Sequence, residues 1–219
     1  MHNVTVAFAA LLVMLLSYFF GCFNGSFMVS HFIIRDDVRK HGSGNAGLTN
    51  FYRTYGAKYA LLVIACDMGK TVAACLLGSF FFRCLGWDGT LGTLLAGLGC
   101  ELGHIFPVFY GFRGGKGILS GGTLVLLLNW RVAAVAWALF LLLWLTTRYV
   151  SLASITATCS APITVYFVYA HNWLYTGLCL AVAALVVWCH RENIQRLLHG
   201  TEKKFKWHVN PTEGKEPPQ

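Results

Sequence analysis

The chain has 219 residues, of which 56% are hydrophobic and 12% charged, with a mean hydropathy of +0.58. This is too apolar for a soluble domain and fits an all-α, polytopic membrane helix bundle whose solvent is mainly lipid. The formal net charge of +8 sits in short loops between apolar runs, which argues against nucleic acid as a partner and for anionic lipid or a phosphorylated substrate.

A spanning helix needs about 20 apolar residues; residues 4–34 exceed that, with an interruption at Asn24, Gly25 and Ser26 that predicts a bend. No basic segment or small-residue cleavage site precedes this run, so it reads as a retained helix. A polar loop (35–58) follows, then an apolar run (59–82) carrying Asp67 and Lys70, a polar turn (83–88) and a third span ending near Ile105. Residues 103–117 form the next loop. Residues 118–145 read as one long span, or as two separated by a turn at Asn129 to Arg131; spans at 151–170 and 173–189 follow. Cytoplasmic loops collect Lys and Arg, and that rule decides between the two counts. With the split there are seven transmembrane helices, the N-terminus outside and the C-terminus cytoplasmic. All but Lys70, Arg83 and Arg131 of the 17 lysines and arginines then lie inside or just beyond the last span on the same face. Without the split, the basic tail and the basic first loop would lie on opposite faces. No repeat is visible, so a single domain is expected over 1–202, with a loosely ordered cytoplasmic tail over 203–219. The eight cysteines lie mostly in apolar segments with no C-x-x-C spacing, so neither a disulfide framework nor a zinc site is expected.

Four polar clusters fall at one membrane face. In the first loop, Gly42, Gly44 and Gly47 formally spell G-x-G-x-x-G, but a dinucleotide fold would need an α/β unit that a helix bundle lacks. What remains is local: glycines let backbone wrap an anion, and Ser43, Asn45, Thr49 and Asn50 add hydrogen-bonding side chains. Arg53 can add a bidentate grip on phosphate. The alternative is a flexible turn with a capping Thr or Asn. In the second cluster, residues 103–117, Gly114, Gly115 and Gly117 surround Lys116, the physics of a phosphate cradle. A Walker loop is excluded, because Tyr110 and Gly117 occupy the places of its first glycine and its Ser or Thr. His104 fits either a buried hydrogen-bonded residue or a base. Asp67 and Lys70, three apart, share a helix face and read as mutual support. The last cluster follows the final span: His190 and Asn193 share one face, while Ile194, Leu197 and Leu198 form an apolar stripe suited to the membrane surface.

Taken together, residues 42–50, residues 103–117 and His190-Arg-Glu-Asn193 with the trailing Arg-Leu-Leu-His-Gly resemble, in order and at family spacing, the bacterial acyl-phosphate:glycerol-3-phosphate acyltransferases. These are integral membrane enzymes that form lysophosphatidic acid. Departures from the family pattern are Ala46, Leu48, Thr71 and Ile118-Leu-Ser120, and none removes a polar group of the clusters. The resemblance implies transfer of an acyl group from acyl phosphate to the 1-hydroxyl of glycerol 3-phosphate, in phospholipid biosynthesis at the cytoplasmic (inner) membrane, with the site facing the cytoplasm. It places Ser43 and Lys116 with the acyl phosphate, and Arg53, His190 and Asn193 with glycerol 3-phosphate. Catalytic roles fall to Ser43, Lys116 and His190. Substrate contacts fall to Gly42, Gly44, Asn45, Thr49, Asn50, Arg53, His104, Gly114, Gly115, Gly117 and Asn193. The base is either His190 or an oxygen of the acyl phosphate itself. No cofactor and no metal are implied; the expected partners are the two substrates and membrane lipid, with no nucleic acid, and the oligomeric state stays open, a monomer being compatible with the sequence. The main rival is a transporter of a phosphorylated solute, which would place its site near the midplane between inverted repeats. His31 and Asp36 match the His-x-x-x-x-Asp spacing of another acyltransferase class, but without a companion motif.

Overall fold

The computed structural model describes residues 2–206. These residues form ten α-helices in order: α1 (His2–Cys22), α2 (Gly25–Met28) continued by a π-helical turn (Val29–Ile34), α3 (Leu48–Tyr55), α4 (Ala60–Cys84), α5 (Gly89–Ile105), α6 (Ile118–Leu128), α7 (Trp130–Thr147), α8 (Val150–Val168), α9 (Trp173–Cys189) and α10 (Arg191–Leu198). Among the described residues, five segments are long and apolar enough to cross a membrane: Val4–Ile34, Ala60–Cys84, Gly89–Tyr110, Trp130–Thr147 and Val150–Val168. The pair α9 and α10, bent by 59°, passes together as a sixth.

The break expected at Asn129 is present. Asn129 is extended, and its side-chain oxygen accepts from the Arg131 N–H at 2.9 Å, capping α7. It leaves α6 with 11 residues, which at 1.5 Å per residue is about half of the hydrocarbon thickness. Asp88 and Asn172 cap α5 and α9 in the same manner.

Helix α5 is the centre of the bundle, and 78% of the most apolar stretch of Gly89–Tyr110, which it begins, is buried. Among lipid tails no hydrophobic force drives helices together, so close backbone approach must do the work. Gly99 and Gly103 provide it: a β-carbon at either would overlap the α1 backbone at Met14 or Tyr18. On the far side of α5, Leu94 packs with Val132 of α7, Val165 of α8 and Cys179 of α9. Large apolar side chains such as Leu11, Phe80, Leu142 and Phe167 point outward, where lipid is their solvent.

The interruption near Asn24 is held open by the pair on α4. Asp67 and Lys70 are 2.8 Å apart and only 1% and 7% exposed. The Lys70 ammonium donates to the carbonyls of Gly21 (3.1 Å) and Phe23 (3.0 Å), at the C-terminal end of α1. Asp67 accepts from the Gly25 N–H at 3.0 Å, at the start of α2. Each charge therefore meets the helix end of opposite polarity, where buried backbone groups would otherwise go unpaired. The supporting role expected for this pair is thereby given a target.

Of the tail expected at 203–219, residues 203–206 are described and lie against the body, whereas 207–219 fall outside the described residues. The Phe205 N–H donates to the Arg148 carbonyl at 2.8 Å, and its ring stacks on Tyr52 and meets Trp144 edge-on.

Candidate active site

At the C-terminal end of α5 the three sequence motifs surround one cleft of about 220 Å³. Ser43, Gly44 and Asn45 form one wall, Gly114, Gly115 and Lys116 a second, and the α9–α10 junction from Trp188 to Arg196 a third.

The first wall is a loop tied from within. The Asn50 amide donates to the carbonyls of Val38 (3.1 Å), His41 (3.1 Å) and Asn45 (3.0 Å), and its oxygen accepts from the Ser43 N–H at 3.0 Å. Asn50, expected to touch substrate, is thus fully occupied in shaping the loop. Gly42 and Gly44 have φ of 59° and 69°, the left-handed region that suits glycine. Ser43 is left exposed at the tip. Thr49 and Arg53 stand behind this wall on α3, and the Arg53 guanidinium donates to the Lys203 carbonyl at 3.1 Å.

The second wall folds back on α5. The Gly114 and Gly115 N–H groups donate to Ile105 and His104 carbonyls, both at 3.1 Å. These two amides, expected as part of a phosphate cradle, instead satisfy the end of a helix. The same wall is fastened to the first: the Ala46 N–H donates to the Gly114 carbonyl (3.2 Å), and the Ala46 carbonyl accepts from the Asn24 amide (3.0 Å). Gly115 leaves no room for a side chain above the His104 ring, and Gly117, at φ 82°, lies directly over the buried Glu101 carboxylate. His104 is 3% exposed, 2.7 Å from the Lys70 ammonium and 3.6 Å from Asp67. Of its two sequence readings the structure takes the buried one: His104 supports the loop from beneath and does not line the cleft.

Lys116 crosses the cleft and its ammonium donates to the Asn193 side-chain oxygen. Burial, with Arg196 nearby, holds the lysine amine below its usual value. His190 is 3% exposed, with Nδ1 2.8 Å from the Val186 carbonyl. In the neutral ring this bond fixes the proton on Nδ1 and leaves the lone pair on Nε2.

Several side chains in and around the cleft carried no decisive signal in the sequence. Arg113, Arg191 and Arg196 line the cleft beside Lys116, so four cations converge there, of which the sequence marks only Lys116. Glu202 accepts from the Asn193 amide (2.7 Å), the Ser151 hydroxyl (2.7 Å) and Arg196 Nε (2.7 Å). Burial alone would raise this carboxyl, but the hydrogen bonds from Arg196, Asn193 and Ser151 outweigh it and hold it below its usual value. Arg196 and Glu202 lay within a stretch legible only as an amphipathic helix and its end, and nothing marked Ser151. Ile105, Phe106, Phe112 and Trp188 add an apolar wall. Among the described residues no group of three or more His, Cys, Asp or Glu side chains is placed to hold a metal ion.

Four cations and an aromatic wall at one end of a lipid-facing bundle suit a membrane protein that handles an amphiphile with an anionic head. The glycerol-3-phosphate acyltransferase family model matches residues 11–200. A glycerol-3-phosphate acyltransferase of Syntrophomonas wolfei is 39% identical over 197 residues, covering 90% of this chain and 96% of the relative. One of Finegoldia magna is 38% identical over 189 residues, covering 86% and 92%. Crystal structures of PlsY (YgiH), an integral membrane glycerol 3-phosphate acyltransferase, align at TM-score 0.79 and 36% identity for the glycerol 3-phosphate form, and 0.77 and 35% for the lysophosphatidic acid form. Each covers 90% of this chain and 96% of the other. The chain belongs to the glycerol-3-phosphate acyltransferase family and is a membrane acyltransferase of phospholipid synthesis.

Proposed function

We propose that the protein transfers an acyl group from acyl phosphate to the 1-hydroxyl of glycerol 3-phosphate, at a site facing the cytoplasm across the inner membrane. The observation that carries this reading is the convergence of Lys116, Arg113, Arg191 and Arg196 on one cleft with the exposed Ser43 opposite. Both substrates are phosphates, and their negative charges must be held close together while neither is hydrolysed.

The hydroxyl oxygen attacks the acyl carbonyl carbon, the carbon–oxygen bond to phosphate breaks, and phosphate leaves with the electron pair. Such a substrate brings its own leaving group, so no covalent protein nucleophile is required. Holding the hydroxyl roughly 3 to 3.5 Å from the carbonyl carbon makes the attack local. Ser43 and Lys116 hold the acyl phosphate, and Arg53, His190 and Asn193 act on glycerol 3-phosphate. Donors aimed at developing negative charge supply much of the rate. The proton ends on the departing phosphate or on His190 Nε2. The apolar wall of Phe106, Phe112 and Trp188 suits the acyl chain.

The chain crosses the membrane seven times, with α6 as a short span, the N-terminus outside and the C-terminus inside; the asymmetry of Lys and Arg supports this. One copy, folded as a single domain, carries the whole site. The test is transfer of radiolabelled acyl groups by protein purified in detergent, with acyl phosphate, acyl-CoA and acyl-carrier protein compared as donors. Acyl phosphate is expected to be the active donor; no transfer from it would overturn the assignment. A reporter fused to the tail and found periplasmic would overturn the topology.

A further inference from the structure

Glu202 lies beyond α10, yet it is built into the site. Its side chain is 6% exposed. The chain is turned back toward it by Gly200, at φ 68°, and by the Thr201 and Glu202 N–H groups, which donate to the Arg196 carbonyl at 2.8 and 3.2 Å. Past it, Phe205 and the Arg53 contact to Lys203 fasten the segment. One carboxylate thereby joins the start of α8 at Ser151, both turns of α10 at Asn193 and Arg196, and through Asn193 the glycine loop at Lys116.

The direction of these bonds is the informative part. An asparagine amide has an accepting end and a donating end, and the two can exchange by a flip of the side chain. A carboxylate can only accept, so Glu202 compels the Asn193 NH₂ to face it. The Asn193 oxygen is then turned toward Lys116, which can only donate. We propose that Glu202 is the positioning residue that sets the orientation of the Asn193 amide and through it the place of the Lys116 ammonium in the cleft. Its link to turnover rests on the acyl transfer role given to Lys116 above, whereas its effect on Lys116 itself does not.

A carboxamide at position 202 would turn its oxygen to Arg196 and its NH₂ to Asn193. Asn193 would then flip and present its own NH₂ to the ammonium. Exchanging the two groups restores the pattern, since a carboxylate at 193 accepts from both Lys116 and the carboxamide. The experiment uses the full chain in detergent, with Lys116 labelled by an amine-acylating reagent and the modification rate read by peptide mass spectrometry. Glu202→Gln is expected to speed labelling of Lys116, and to slow transfer, by about tenfold to a hundredfold, the range for losing a hydrogen bond to a charged group. Asn193→Asp combined with Glu202→Gln is expected to label near the parent rate and to turn over faster than either single variant.

Unchanged labelling in Glu202→Gln, or a double variant whose loss equals the product of the two single losses, would overturn the proposal; a role confined to packing gives the second result. If Glu202→Gln does not fold, Glu202→Asp takes its place, with faster labelling again expected and unchanged labelling again decisive against. Failure of the acyl-phosphate reading would appear separately, as a parent protein that labels at Lys116 but transfers nothing from that donor.

Discussion

Replacing Asp67 by Ala leaves the Lys70 ammonium, 7% exposed, without its buried counter-charge and the Gly25 N–H without its 3.0 Å acceptor. Breaking a buried pair by removing one member costs about 3–5 kcal/mol, because the survivor stays desolvated. Two to four degrees of melting temperature per kcal/mol is usual at this chain length, so a fall of roughly 6–20 °C is expected. The assay is already present in the molecule: Cys22, Cys75 and Cys100 are buried free thiols, and a thiol-reactive fluorophore in detergent reports their exposure on heating. Removing both charges, as Asp67→Ala with Lys70→Met, takes away the uncompensated ion and is expected to recover more than half of the loss. A single variant melting within about a degree of the parent would refute the reasoning. So would a double variant no more stable than the single one, because the cost would then lie in packing and not in an orphaned charge.

Lys116→Ala removes the ammonium at the centre of the cleft and is expected to lower the transfer rate by about 10²–10³-fold, the loss typical of one donor to a developing oxyanion. Circular dichroism and the thiol assay should show an unchanged fold, and near-normal turnover would remove Lys116 from its role. Gly115→Ala drives a methyl group into the His104 ring and toward the Ala46 carbonyl; overpacking of this kind costs about 1–3 kcal/mol, and both melting temperature and transfer rate should fall. For Glu202 the sign follows from its depressed carboxyl. The stability it contributes is fully present above the ordinary glutamate value near 4.3 and is lost as pH falls through the lower folded value. Thermal melts should therefore fall more steeply below about pH 4.3 in the parent than in Glu202→Gln.

Punctuation of the bundle was legible because it is local. Asn24 and Asn129 interrupt apolar runs as short polar side chains able to cap the helix that follows, and both do so. How much helix remains after a break is not local: the 11 residues of α6 begin only where the loop before them, tied to the end of α5 through Gly114 and Gly115, releases the chain. The glycine loops announced an anion site by composition, but composition cannot say which N–H groups are already committed. Those of Gly114 and Gly115 are committed to the carbonyls that end α5. Asn50 looks the same in sequence as a ligand or as a tie, and only three carbonyls brought within reach make it the second. Arg196 and Glu202 needed the reversal at Gly200 before they could meet Asn193, and Ser151 needed the packing of α8 against α10.

The stretch after α10 also bears on where this protein can be cut. The match to the family model ends at residue 200, so a boundary drawn from that model would discard Glu202 and Phe205. With them go the carboxylate that Asn193 and Arg196 share and the ring seated on Tyr52 and Trp144. A shortened chain could still insert and fold its spans while the third wall of its cleft lost the carboxylate that braces it. Truncations, tags and chimaeric joints therefore belong after residue 206, since the working unit is longer than the unit that the family model outlines.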